Sequence, residues 1–106
     1  GYLLHQFLST FTNTRTDRWG GALENRVRLL REIVEGIRAS VPRSFLVGVR
    51  LSPEDKFTYR GIDFDEALET AVRLADAGVD TIHVSPWDAF KTPDKYPDSG
   101  KPVAAW

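Results

Sequence analysis

From Leu23 onward the apolar residues fall at Leu23, Val27, Leu30, Val34, Ile37 and Val41, in steps of four and three. Arg26, Arg28, Arg31, Glu32, Glu35 and Arg38 fill most of the positions between them. A period near 3.6 makes this an amphipathic helix over 23–41 with one face to bury. Pro42 ends it, because proline cannot continue the hydrogen-bond ladder and disfavours the helical conformation of the residue before it. The run that follows, "FLVGVRLS" over 45–52, is apolar on both alternating positions with one charge near its far end. Such a run reads as a strand covered on both faces, as in parallel sheets.

A second unit of the same kind comes next. Asp63, with Glu66 three residues on, forms a capping box with Asp in place of Ser or Thr. The helix it opens, 64–77, is expected to bury Phe64, Leu68, Ala71, Val72 and Ala75 before Gly78 closes it. "VDTIHVS", 79–85, reads as a second strand. Helix, strand, helix, strand with short connections is the repeating unit of a parallel α/β sheet or barrel. Two strands and two helices cannot themselves close a (β/α)₈ barrel, which takes about 250 residues. Residues 5–22 are polar, rich in Thr and Gly, and read as a long ordered loop. Residues 86–102 hold four of the six prolines and read as loop too. Loops of that length inside a compact domain are usually functional.

Composition removes several classes of function. Fourteen Lys and Arg against fifteen Asp and Glu leave a net charge of -1, so no global field draws the chain toward nucleic acid or an anionic membrane. With no cysteine there is no disulfide, thiolate metal site or cysteine nucleophile, and two scattered histidines do not make a metal site. No apolar run reaches the length of a spanning helix. The opening "GYLLHQFL" lacks the basic leader and small-residue cleavage site of a signal peptide. The chain is expected to be cytoplasmic and, since it starts on a tyrosine and an apolar turn, a piece of something larger.

In parallel α/β folds ligands gather at the carboxyl ends of the strands. Arg50, in "VGVRLSP", stands there. A fixed positive charge beside an apolar stretch calls for a carboxylate, a phosphate or an electron-rich ligand. It is either a structural salt bridge at the rim or a ligand contact. His83 and Ser85 suggest a catalytic pair, but residues two apart on a strand share a face without having to meet, and a satisfied core or rim histidine is the plainer reading. Gly20 and Gly21 lack the spacing of a phosphate loop and read as the turn into the helix. Asp17, Arg18, Glu24 and Arg26 serve on this reading to pin the loop to the rim. The three tryptophans lie in or beside loops, where they either stack on a ligand or simply pack.

"GYLLHQFLSTFTNTRTDRWGGALENRVRLLREIV" followed by "VGVRLSP" resembles the old yellow enzyme family of FMN-dependent NADH:flavin oxidoreductases. The signature runs through Gly1, Tyr2, Leu3, Leu4, Gln6, Phe7, Leu8, Asn13, Arg15, Thr16, Asp17, Gly20, Gly21, Glu24, Asn25 and Arg26. "GVDTIHVS" matches the family's next strand more loosely. The resemblance implies a partial (β/α)₈ TIM barrel, from the end of strand four to the loop after strand six, with residues 1–106 a fragment of one FMN-binding domain. It implies that Tyr2 is the catalytic proton donor, a sensible role for a phenol that stays protonated at neutral pH. It implies that Arg50 contacts the flavin ring, where its charge would favour the anionic form.

The implied reaction passes hydride from NADH or NADPH through FMN to an enone-type small molecule while Tyr2 protonates the α-carbon. The family's substrate-anchoring pair would lie just before Gly1, and the strands holding the FMN phosphate would lie outside the chain, which alone is expected to be inactive. Thr10 stands where the family often has proline, Trp19 where tyrosine is common, and Ala22 where serine is usual. Two other readings remain. One is an NADH oxidase or amine dehydrogenase on the same barrel; the other is a non-catalytic α/β fragment that packs with a partner half-barrel through its sheet edges.

Overall fold

The computed structural model describes residues 2–55 and 61–106. Within them the chain forms helix α1 (Tyr2–Leu8), helix α2 (Leu23–Ser40), strand β1 (Gly48–Leu51), helix α3 (Phe64–Asp76), strand β2 (Thr81–Val84) and a 3₁₀ turn at Val103–Ala105. Gly1, part of the family signature, lies outside the described residues. The two strands pair in parallel with Arg50 opposite His83 and Leu51 opposite Val84, so α3 is the crossover of a βαβ unit. α1 and α3 both pack on α2. Leu8, Val27, Leu30, Leu51, Ala67 and Leu74 meet in the shared core.

The helices form where their patterns place them. α2 buries Val27, Leu30 and Val34 along one stripe and stops at Ser40, just ahead of Pro42. α3 is capped by Asp63, whose side chain accepts from the Glu66 N–H at 2.9 Å. Only half of the capping box forms, because the Glu66 carboxylate is engaged elsewhere. It receives the Arg26 guanidinium, with Nη2 to Oε1 at 2.5 Å and Nη1 to Oε2 at 3.1 Å. Gly78 follows α3 at φ +108, a backbone region that suits glycine. Arg38 closes the far end by donating Nε to the Gly78 carbonyl at 3.0 Å and Nη1 to the Phe45 carbonyl at 2.9 Å. It also pairs with Asp80. The Val47 N–H, and then Arg38, hold the Asp80 carboxyl below the usual carboxylate range.

Four expectations need correction. Residues 5–8 are the end of a helix, not loop, because Leu4 and Leu8 lie one turn apart on a common face and pack into the core. The strands are shorter than 45–52 and 79–85, with Phe45 and Leu46 exposed ahead of β1. The sheet is covered on one face only: Val49 and Leu51 turn inward, while Gly48, Arg50, Thr81 and His83 are exposed. A two-stranded sheet with its helices packed on one side leaves the other side without cover. Finally, α3 buries Phe64, Ala67, Thr70 and Leu74, while Leu68 is 40% and Val72 60% exposed. Two apolar stripes compete on that helix, and Leu74, fully buried against α2, selects the one that faces inward.

α2 begins at Ala22, whose side chain offers no cap. Replacing Ala22 with Ser should raise the stability of the chain by about 1 kcal/mol in a denaturant titration, since a hydroxyl there can accept from the first turn. Glu66→Ala should cost about 3 kcal/mol, because it strands a buried guanidinium. Glu69→Ala, which breaks the solvent-exposed pair with Arg73, should cost no more than about 0.5 kcal/mol in the same titration.

Candidate functional site

β1 and β2 point their carboxyl ends the same way, and a cleft of about 430 Å³ opens there. Its walls include Tyr2, Leu4 and His5 from α1, Val49, Arg50 and Ser52 from β1 and its exit, and Ser85 just past β2. Tyr2 and Arg50, the two residues the resemblance marks, therefore line one space although they come from separate elements. Tyr2 opens α1 and is 92% exposed. Arg50 sits on the exposed face of β1, and its Nη2 donates to the Ser85 Oγ at 2.8 Å.

Among the described residues, the rim salt bridge considered for Arg50 is not formed. An exposed guanidinium, steadied by a hydroxyl and not neutralised by a carboxylate, keeps its charge for a ligand. His83 is exposed beside Arg50 on the same sheet face, neither core nor paired with Ser85, whose hydroxyl receives Arg50 instead. Ser85 thus matters for a reason the sequence did not show: its partner lies across the sheet, on β1.

The loop from 9 to 22 is ordered by its polar side chains. Asn13 Nδ2 donates to the Phe7 carbonyl at 2.6 Å and to the Trp19 carbonyl at 2.8 Å, tying α1 to the loop's far end. Asp17 accepts from Arg15 Nε and from the Trp19 N–H, each at 3.0 Å. Arg15, and then the Trp19 N–H, hold its carboxyl below the usual range. Gly20 has no room for a side chain, since a Cβ there would fall 2.3 Å from the Arg15 carbonyl oxygen. Arg18 lies over the Trp19 ring at 4.8 Å and donates to Glu32 at 3.1 Å. Arg26, expected only to pin the loop, is 3% exposed and donates to the Leu8 carbonyl at 2.6 Å and to the Gly21 carbonyl at 2.9 Å.

Sequence reasoning missed one cluster beside the cleft. His5 Nε2 lies 2.5 Å from Asp55 Oδ1, and Ser9 Oγ donates to Asp55 Oδ2 at 2.5 Å. The signal was the spacing of His5 and Ser9, one helical turn apart, which shows only once residues 2–8 are known to be helical.

The prolines of 86–102 do mark irregular chain. It folds back on α3, where Trp106 stacks on Tyr96 with centroids 5.5 Å apart and meets the Phe64 ring edge-on at 5.2 Å. The Tyr96 hydroxyl donates to Asp65 at 2.7 Å. Lys95, and then Tyr96, lower the Asp65 carboxyl's pKa, while Asp65 raises that of each partner. Of the tryptophans, Trp106 packs in this cluster and Trp87 is exposed. Among the described residues there is no cluster of His, Asp and Glu able to hold a metal ion. Among them, too, no helix is long and apolar enough to cross a membrane.

The NADH:flavin oxidoreductase / NADH oxidase family profile matches residues 1–103. An NADH-dependent flavin oxidoreductase of Talaromyces variabilis is 43% identical over 96 residues, which is 91% of this chain and 23% of that protein. A structure of 2-naphthoyl-CoA reductase with 2-naphthoyl-CoA matches with TM-score 0.74 and 33% identity, over 88% of this chain and 16% of that one. The old yellow enzyme homologue from Zymomonas mobilis matches with TM-score 0.66 and 29% identity, over 78% of this chain and 24% of that one. The chain belongs to the NADH:flavin oxidoreductase / NADH oxidase family, and its backbone is similar to that of an old yellow enzyme homologue. By that family's description its members pair a flavin with NADH. The chain spans less than a quarter of the length of each protein compared.

Proposed function

We propose that this chain carries the proton donor and one flavin contact of a cytoplasmic ene-reductase, as the part of a (β/α)₈ barrel from the end of strand four to the loop after strand six. The observation that carries this reading is the shared cleft: Tyr2 and Arg50 line one space at the carboxyl ends of two parallel strands. The residues present suit FMN at one point of contact. Arg50 offers an exposed, un-neutralised cation to an electron-rich ring edge, and Ser85 limits where that cation can swing.

A bound FMN would supply the redox chemistry, hydride transfer from NADH or NADPH to the β-carbon of an alkene activated by a carbonyl or similar group. The chain's own part is the proton. As the β-carbon gains hydride, negative charge builds on the activated system, and the α-carbon must take a proton to complete the saturated product. Tyr2 can give it: its O–H bond breaks, a C–H bond forms, and the phenolate left behind regains a proton from water, to which the ring is open. Arg50 holds positive charge on the same cleft throughout, which favours the electron-rich state that precedes transfer. The relative named for reduction of a naphthoyl thioester supports an activated, conjugated small molecule as the substrate class.

Separating the two half-reactions by stopped flow tests this. Tyr2→Phe, made in a flavin-loaded full-length enzyme that contains this segment, should leave flavin reduction by NADH at its normal rate and slow reoxidation by an enone by about 10²–10⁴-fold, the range for a lost general acid. Equal enone rates in the two proteins would remove Tyr2 from the reaction.

A further inference from the structure

Tyr2 is carried on a helix of only seven residues. Isolated helices shorter than about 12–15 residues are marginal in water, so contacts from elsewhere must decide where α1 sits. Several reach its carboxyl end, from Asn13 and Arg26. On the side that faces the cleft, the holding contacts converge on one carboxylate. Asp55 Oδ1 meets His5 Nε2 at 2.5 Å, while Oδ2 accepts from Ser9 Oγ at 2.5 Å and from the Ile62 N–H at 3.0 Å.

This carboxylate is built in. The Asp55 side chain is 9% exposed and Ser9 is 1% exposed, so the negative charge depends on those donors and not on water. Gly61 makes the space for it: at φ +154, a Cβ there would fall 2.5 Å from Asp55 Oδ2. Thr10, just past Ser9, donates to the Gly61 carbonyl at 3.2 Å and closes the same joint from its outer side. Asp55 follows β1, the strand that carries Arg50. Its partner His5 lies three positions along α1 from Tyr2, on the same helical face, and both line the cleft. One carboxylate therefore ties the strand end bearing the flavin contact to the helix bearing the phenol.

We infer that Asp55 is a positioning residue for proton transfer: through His5 and Ser9 it fixes α1, and so the Tyr2 hydroxyl, relative to Arg50. It touches neither substrate nor flavin. This rests on the reading of Tyr2 as proton donor. A residue that only supported the fold would affect both half-reactions, whereas one that aims Tyr2 affects only the step that uses Tyr2.

The test uses a flavin-loaded full-length enzyme that contains this segment, with Asp55→Asn, which keeps the shape and loses the charge. His5→Leu serves as the second variant should the first not fold, and His5→Gln as the conservative rescue that keeps a donor toward Asp55. Asp55→Asn and His5→Leu should leave flavin reduction by NADH within about twofold of normal and slow enone-driven reoxidation by about 10–100-fold, the scale of an ångström-size misplacement. His5→Gln should recover most of that loss. Independently of activity, amide hydrogen exchange in residues 3–8 should quicken by about tenfold in Asp55→Asn, while amides of α2 keep their protection. The inference is overturned if both half-reactions slow alike, or if reoxidation and α1 exchange stay normal. Should Tyr2→Phe itself reoxidise normally, the donor reading has failed, and the purpose assigned to Asp55 fails with it.

Discussion

The Arg26 guanidinium is the contact on which the arrangement of this chain depends. It is buried on α2, yet its bonds reach three other segments: one to the Leu8 carbonyl at the end of α1, one to the Gly21 carbonyl in the turn before α2, and two to the Glu66 carboxylate on α3. A planar cation with five donors can meet the Glu66 carboxylate with two parallel bonds and still serve two carbonyls, a bidentate match that a lysine's compact ammonium does not offer. Its burial would be costly without them, so the three elements are held together or the charge is stranded. The apolar contacts of Leu8, Val27 and Leu74 then pack around a geometry that the polar contact has already selected.

That geometry also brings the two candidate site residues together. With α1 fixed at its carboxyl end by Arg26 and at its cleft side by Asp55, the first residue of the helix projects over the ends of the strands. Arg50 reaches the same space from β1, held by a hydroxyl from beyond β2. Arg50, beside His83 on the exposed face of the sheet, thus shares a cleft with Tyr2. Polar and charged groups carry more of the positioning here than the small core does.

Much of this could be read from the sequence, and the exceptions have physical causes. α2 and α3 are long enough for a 3.6-residue period to repeat, and Pro42, Asp63 and Gly78 mark their ends by backbone chemistry alone. α1 was not legible, because seven residues hold barely two turns and the Thr-rich stretch after them dominates the local composition. The inward face of α3 was misread because Leu68 and Val72 form as good a stripe as Ala67 and Leu74; only the neighbour, α2, distinguishes them. The candidate site divides in the same way. Tyr2 and Arg50 were visible through a family signature, whereas Ser85 and the His5, Ser9 and Asp55 cluster depend on contacts across the sheet or between distant segments, which no local pattern records.

The central claim is that Tyr2 and Arg50 act on one bound flavin and its substrate from a single cleft. A crystal structure of the flavin-loaded protein with an unreactive enone analogue measures this most directly. The account predicts the Arg50 guanidinium in hydrogen-bond contact with the flavin ring and the Tyr2 oxygen about 3–3.5 Å from the analogue's α-carbon, the spacing of groups about to react. A flavin seated away from Arg50, or a Tyr2 ring turned out of the substrate's reach, would contradict it.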